Sequence, residues 1–234
     1  MAGGVKSAGG GKAATGVCAE AFNIECRACP RLFAFLKEVR AEQPTYFAQP
    51  VPPFGVTRAD LLIVGLAPGM HGANRTGRPF TGDHAGILLY QTMFDTGFAS
   101  HVGSADPDDG LKLLNCRITN AVKCLPPQNK PDVTEIRRCN RYLAAEIAAH
   151  PPRAILALGN IAHQAVLLAL GFKIKGFPFG HHAVHDIPGG ERVAKGLRLF
   201  DSYHCSRYNT NTRRLTPAMF RAVFDDIRKF LAVK

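Results

Sequence analysis

The sequence predicts an α/β fold of three layers: a four-stranded, mostly parallel sheet flanked by helices. Three observations predict it. Short apolar runs recur at Ala59 to Gly65 (ADLLIVG) and Arg153 to Gly159 (RAILALG), as in strands buried on both faces. Segments of helical periodicity lie between such runs, and strands alternating with helices build a parallel sheet with helices on its faces. Most of the Gly-rich, polar and His-containing stretches fall in the loops that follow the strands, where open parallel sheets bind ligands.

Arg31 to Gln43 (RLFAFLKEVRAEQ) reads as an amphipathic helix, with Leu32, Phe35, Leu36 and Val39 on one face. Pro44 to Gly55 holds four prolines and reads as loop. Ala59 to Gly65 is the first strand, and a long Gly-rich loop leads to a helix from about Gly86 to Gly97. Arg117 to Val122 (RITNAV) is the second strand, and Thr134 to Ala149 a helix. Arg153 to Gly159 is the third strand, with Asn160 expected to cap a helix running to Leu170. Leu197 to Tyr203 (LRLFDSY) is the fourth strand. Thr216-Pro217 opens a last helix, since proline suits the first helical position. Residues 1–17, rich in Gly, Ala and Lys, read as a flexible tail, and 18–234 as one domain.

Hydrophobic residues make up 46% of the 234, enough for a sizeable core, which excludes a largely disordered chain. No apolar run approaches the roughly 20 residues that span a bilayer, and no signal peptide is evident. A cytosolic, reducing setting is therefore expected, in which the seven cysteines serve as thiols or metal ligands. The net charge is +11, and residues 192–234 carry ten basic and three acidic residues. A basic quarter of this kind suits a phosphate-rich partner such as nucleic acid; the plainer alternative is a solvated helix face.

Cys26-Arg27-Ala28-Cys29-Pro30 is a C-x-x-C-P directly before a helix, and Cys124 and Cys139 follow with fourteen residues between them. Four thiolates can hold zinc or an iron–sulfur cluster. Cys116 and Cys18 look neutral. His181-His182-Ala183-Val184-His185 lies in a Gly/Pro-flanked loop without evident carboxylate partners and reads as a solvated loop rather than a metal site.

Gly65-Leu66-Ala67-Pro68-Gly69 through His71 to Asp83 (HGANRTGRPFTGD) resembles the first motif of the uracil-DNA glycosylase superfamily, closest to its iron–sulfur family 5, or type B. Thr119-Asn120-Ala121-Val122-Lys123-Cys124 resembles that family's uracil-reading strand end. Ser202-Tyr203-His204-Cys205-Ser206, followed by Asn209, resembles its second motif, normally His-Pro-Ser. The resemblance runs from about Cys26 to Phe230. It implies an enzyme that flips deaminated bases out of single- or double-stranded DNA and hydrolyses the N-glycosidic bond. Uracil would be the first substrate, with hypoxanthine and other damaged bases as further candidates. It also implies a [4Fe–4S] cluster on Cys26, Cys29, Cys124 and Cys139, and a monomeric enzyme.

The residues suit that chemistry. Phe80 would be the platform for the flipped base, and Asn120 would read its Watson–Crick edge, since an amide offers both donor and acceptor. Backbone N–H groups of the turn that includes Gly65 and Ala67, together with His204, would stabilise the departing anionic base. Asp83, the only carboxylate of the first loop, would orient the attacking water, cap the following helix, or do both. Ser206, Arg207, Asn209, Asn211, Arg213 and Arg214 would hold phosphates and wedge the strand. One departure stands out: Cys205 replaces the proline of the second motif, which should loosen the turn that aims His204. Leu66-Ala67 stand where many superfamily members carry a carboxylate, an absence that family 5 shares. A non-catalytic DNA-binding protein with a structural metal held by the four cysteines is the alternative reading.

Overall fold

A computed structural model of the chain describes residues 22–190, 193 and 195–233. The tail expected at 1–17, and Cys18 with it, lie outside the described residues. The elements are α1 (Pro30–Glu42), β1 (Phe54–Gly55), β2 (Leu61–Gly65), α2 (Ala73–Thr76), α3 (His84–Asp95), β3 (Cys116–Asn120), α4 (Val133–Ala149), β4 (Ala154–Leu158), α5 (Asn160–Leu170), β5 (Val184–Asp186), β6 (Arg198–Ser202), α6 (Arg207–Asn211) and α7 (Pro217–Ala232).

Among the described residues the sheet has six strands, not the expected four, in the order β1-β3-β2-β4-β6-β5. The four expected strands form its parallel centre, and β1 and β5 are antiparallel edges. Two and three residues long, these edges are too short to show a period, and they lie in the Pro-rich and His-rich segments that read as loop. The central strands alternate between two cores. Leu61, Ile63, Leu156 and Leu158 face α3 and α7, while Leu62, Val64, Ile155 and Ala157 face α4 and α5. β2 and β4 are therefore apolar throughout, because both faces are covered, whereas β3 and β6 also bury Thr119, Asn120, Asp201 and Ser202.

Local chemistry sets the helix ends. Asp132 and Glu135 form a reciprocal capping box, so α4 starts at Val133. Thr216 caps α7 through the Met219 N–H, with Pro217 in the first turn, as expected. At α5 the capping expectation fails. Gly159, at φ +99°, is the cap residue, and Asn160 is already helical without a side-chain cap. The Gly159 N–H is drawn to the Ser202 carbonyl at 2.8 Å, which ties this strand-to-helix turn to β6.

Candidate active site

The site begins with register. Gly65, the last residue of β2, pairs with Asn120, the last of β3. A side chain at position 65 would lie 2.5 Å from Asn120 Oδ1 and 2.7 Å from Phe80 Cζ. Only glycine leaves the amide and the ring room to converge. Asn120 is 3% exposed and its Oδ1 has no hydrogen-bond partner among the described residues. A buried acceptor left unmade costs about 1–3 kcal/mol, a penalty that a ligand N–H would remove.

Phe80 holds φ +55°, uncommon for a bulky residue. A clamp imposes it. Arg78, almost fully buried, makes two bonds to Asp109 at 2.8 and 2.7 Å, one to Thr81 Oγ1 at 2.7 Å and one to the Pro107 carbonyl at 3.0 Å. The Tyr90 hydroxyl donates to the Pro79 carbonyl at 2.7 Å. Gly86 must lack a side chain, since a Cβ there would meet the Phe80 carbonyl oxygen.

A cleft of about 360 Å³ opens over these groups, lined also by Ala67, Asp83, His84, His204, Ser206 and Arg207. Asp83 does cap α3, its Oδ1 accepting from the Gly86 N–H at 2.9 Å. Its Oδ2 lies against Gly69 and Gly72 instead, where a Cβ would stand 3.6 and 2.5 Å away. The cap bond engages Oδ1, and the Asp83 side chain also lines the cleft. Burial raises the Asp83 pKa, against the pull of the Gly86 and Ala85 N–H groups. The His204 ring stacks with Phe80 at 5.9 Å and 29°. Burial pushes its pKa down to about 4, so the imidazole is neutral at physiological pH.

The turn that carries His204 is not loosened by Cys205. Asn209 Nδ2 donates to the His204 carbonyl at 2.8 Å, and Ser206 caps α6. The Tyr203 N–H reaches His181 Nδ1 at 3.3 Å, and Cys205 itself is fully buried in the core.

The histidine-rich segment is partly solvated, as expected, with His182 and Val184 exposed, but its rings are also tied to carboxylates. His185 Nε2 and the buried His163 Nδ1 both bond Asp201, at 3.2 and 2.8 Å, and His182 bonds Asp226 at 2.9 Å. His163, His185 and Asp201 lie close enough to hold an ion. Their atoms already pair at hydrogen-bond distance, however, and His163 Nε2 also bonds the Phe177 carbonyl at 2.9 Å. The group braces β6 just before His204.

Arg207 and Asn211 are exposed on α6, and Arg213 is exposed just beyond it at φ +56°. Arg214 lies 4.5 Å over the Tyr203 ring. Much of the remaining basic charge of the C-terminal quarter is spent elsewhere: Arg198 pairs with Asp186, Arg221 with Asp225 and Lys229 with Asp226. Two residues were missed in the sequence. Tyr208, 71% exposed on α6, offers a ring to a base, and its placement between Arg207 and Asn209 was the available signal. His84 was the other; its Nε2 meets Thr210 Oγ1 at 3.1 Å and ties α3 to α6.

Cys26, Cys29, Cys124 and Cys139 line a second pocket, between α1 and α4. The Lys123 N–H points at Cys139 Sγ at 3.3 Å, and Arg141 Nη2 lies 3.7 Å from Cys26 Sγ.

An amide for a base edge, a ring for its face, a carboxylate and a neutral imidazole are the parts that base excision needs. The class defined by this fold and cleft is a DNA glycosylase. A family model described as the uracil DNA glycosylase superfamily matches residues 52–228. A type-5 uracil-DNA glycosylase of Thermus thermophilus is 43% identical over 87% of this chain and 93% of its own length. One of Pyrobaculum aerophilum is 41% identical over 82% and 83%, respectively. A type-4 enzyme of Sulfurisphaera tokodaii is 29% identical over 74% and 72%. The chain belongs to the uracil-DNA glycosylase superfamily, among its type-5 members. No helix among the described residues is long and apolar enough to cross a membrane.

Proposed function

We propose that the cleft takes uracil flipped from DNA and hydrolyses its N-glycosidic bond, leaving an abasic site for base excision repair. The unpartnered Oδ1 of Asn120, beside the Phe80 ring, carries this reading. Uracil presents an N–H between two carbonyls, so the Asn120 oxygen accepts from that N–H while its NH2 donates to a carbonyl. Phe80 supports the ring face. As the C–N bond breaks, its electron pair passes to the base, and neutral His204 donates a hydrogen bond to the resulting anion. The Asp83 carboxylate faces the cationic sugar and orients a water whose oxygen bonds the anomeric carbon while its proton passes to the carboxylate, the departed base anion being the final proton acceptor. Incubating the protein with a uracil-containing duplex and then with alkali tests the reading. Strand cleavage at uracil is expected, and an intact strand would refute it. Hypoxanthine duplexes measure the breadth of the pocket.

The enzyme acts as a monomer in the bacterial or archaeal cytosol, with the DNA, on single- or double-stranded substrate. Arg207, Asn211, Arg213 and Arg214 hold phosphates around the cleft mouth, while Ser206 and Asn209 shape the loop between them. Replacing Arg213 and Arg214 by Ala should weaken binding to every duplex. Each lost phosphate contact should lower the slope of log affinity against log salt by ~0.9. Single-turnover excision from bound substrate should hold. If excision collapsed while the salt slope held, these residues would belong to the pocket.

Cys26, Cys29, Cys124 and Cys139 would hold the [4Fe–4S] cluster. Among the described residues no three of these sulfurs lie within 4.8 Å of one another. A single zinc with Zn–S of ~2.3 Å would draw its sulfurs to within about 3.8 Å. The N–H groups directed at Cys26 and Cys139 suit metal-bound thiolates, and four such thiolates around one pocket could hold the cluster. The group would supply structural cross-linking of α1 to the segment after β3. Purified protein should be brown, with iron and sulfide near four each per chain; a colourless protein with one zinc would sink the cluster assignment.

A further inference from the structure

The segment that leaves β3 passes the cysteine pocket at Cys124 and arches back to α4. At its crest Gln128 and Asn129 stand in consecutive left-handed conformations, φ +55° and +57°. Neither is glycine, and a side chain in that region crowds its own backbone. The crest is held nonetheless. The Asn129 and Lys130 N–H groups donate to the Pro126 and Pro127 carbonyls, each at 3.1 Å. The Lys130 carbonyl accepts from Arg31 Nη2 at 3.2 Å, and Arg31 is itself fastened to Glu135 at 2.7 Å. The outcome is that Asn129, exposed, lines the same cleft as Asn120, Phe80 and His204.

We propose that Asn129 is a substrate-binding residue whose amide N–H donates to the sugar-phosphate backbone of the flipped nucleotide. The proposal rests on the uracil reading above. The division of labour within the cleft assigns the contact. Asn120, buried at the strand end, takes the base edge, and Phe80 takes the face. An exposed amide at the rim is left with the part of the nucleotide that stays at the rim, its deoxyribose and phosphate. Asparagine suits the place twice over: it tolerates the left-handed conformation better than most residues, and it presents two N–H donors. Through this crest, the anchoring of α1 and α4 around the four thiols bears on substrate binding.

The test is Asn129→Gly in the full chain with its iron intact. Glycine adopts positive φ without strain, so the variant keeps the loop shape and loses only the amide. Three readings are compared: thermal stability, affinity for a duplex carrying a tetrahydrofuran abasic analogue, and inhibition by free uracil. Stability should hold or rise. Affinity for the abasic duplex should fall by about 10- to 100-fold, the range for a hydrogen bond to a charged acceptor. Inhibition by free uracil should be unchanged. Asn129→Asp, which keeps the shape but opposes the phosphate charge, should bind abasic DNA more weakly still. Unchanged affinity in either variant overturns the proposal, as does weaker uracil inhibition, which would place Asn129 on the base. A wild-type protein that excised no uracil would defeat the underlying reading instead. An active wild type with a fully competent Asn129→Gly would defeat the Asn129 assignment alone.

Discussion

His204→Ala is expected to slow single-turnover excision of uracil by about 10²–10³, the cost of one lost donor to a developing anion, roughly 2.7–4 kcal/mol. DNA binding should be nearly intact, because the imidazole lies inside the cleft against Phe80 and away from the basic mouth. Its pH behaviour is the sharper test. With a pKa near 4, His204 is neutral across the physiological range. Wild-type excision should therefore show no ionisation near 6.5 that disappears in the alanine variant. Stability carries a matching signature. Between about 4 and 6.5 the unfolded chain binds a proton on this histidine that the folded chain refuses, so stability falls as pH drops through that window. The alanine variant should lose less stability than wild type on going from about pH 7 to about pH 4.5. An ionisation near 6.5 that belonged to His204 would mean a charged imidazolium at the base and a different mechanism.

Asp83→Asn should reduce excision by about 10²–10⁴, the contribution of a positioned carboxylate to activating water and steadying a cationic sugar. The fold should not suffer. Asparagine caps a helix as well as aspartate does, so the bond to the Gly86 N–H survives. Burial raises the Asp83 pKa, so the folded chain holds this proton at pH values where the unfolded chain has released it. Stability is therefore lost as pH rises above the unfolded value of 3.8, and asparagine removes that loss. A melting temperature equal to or above wild type at neutral pH, with activity greatly reduced, is the expected pair. Wild-type excision should also fall on acidification through a pKa above 3.8. Excision by Asp83→Asn at the wild-type rate would make Asp83 a cap alone, leaving the chemistry to His204, Asn120 and the backbone amides near Ala67.

Much of the architecture is readable in the chain itself. Ala59 to Gly65 and Arg153 to Gly159 declare buried strands because a parallel strand covered on both faces tends to a near-continuous apolar run. The strands β1 and β5 are not readable, because edge strands of two and three residues are made by their neighbours' open hydrogen-bonding edges and leave no pattern in their own side chains. The chemical groups of the cleft are legible as types in loops after strands. Their environments are not. The pairs His163–Asp201, His182–Asp226 and Arg78–Asp109 lie 38, 44 and 31 residues apart in the chain, so the carboxylate partners of the histidine run are not visible beside it. Distance along the chain also hides the bond of His181 to the turn that carries His204.

By itself the sequence determined the alternation of strands and helices, the order of the chemistry-bearing loops and the four thiols, because these depend on periodicity and residue type along one stretch of chain. The tertiary structure alone decided which groups meet and in what state. The pairing of Gly65 with Asn120 leaves an acceptor bare, and the Arg78 clamp turns Phe80 into a left-handed platform. Burial holds His204 neutral and raises the Asp83 pKa. A pKa, an orphaned hydrogen-bond acceptor and a strained φ are set by desolvation and contact among residues distant in the chain, which only the closed fold brings together.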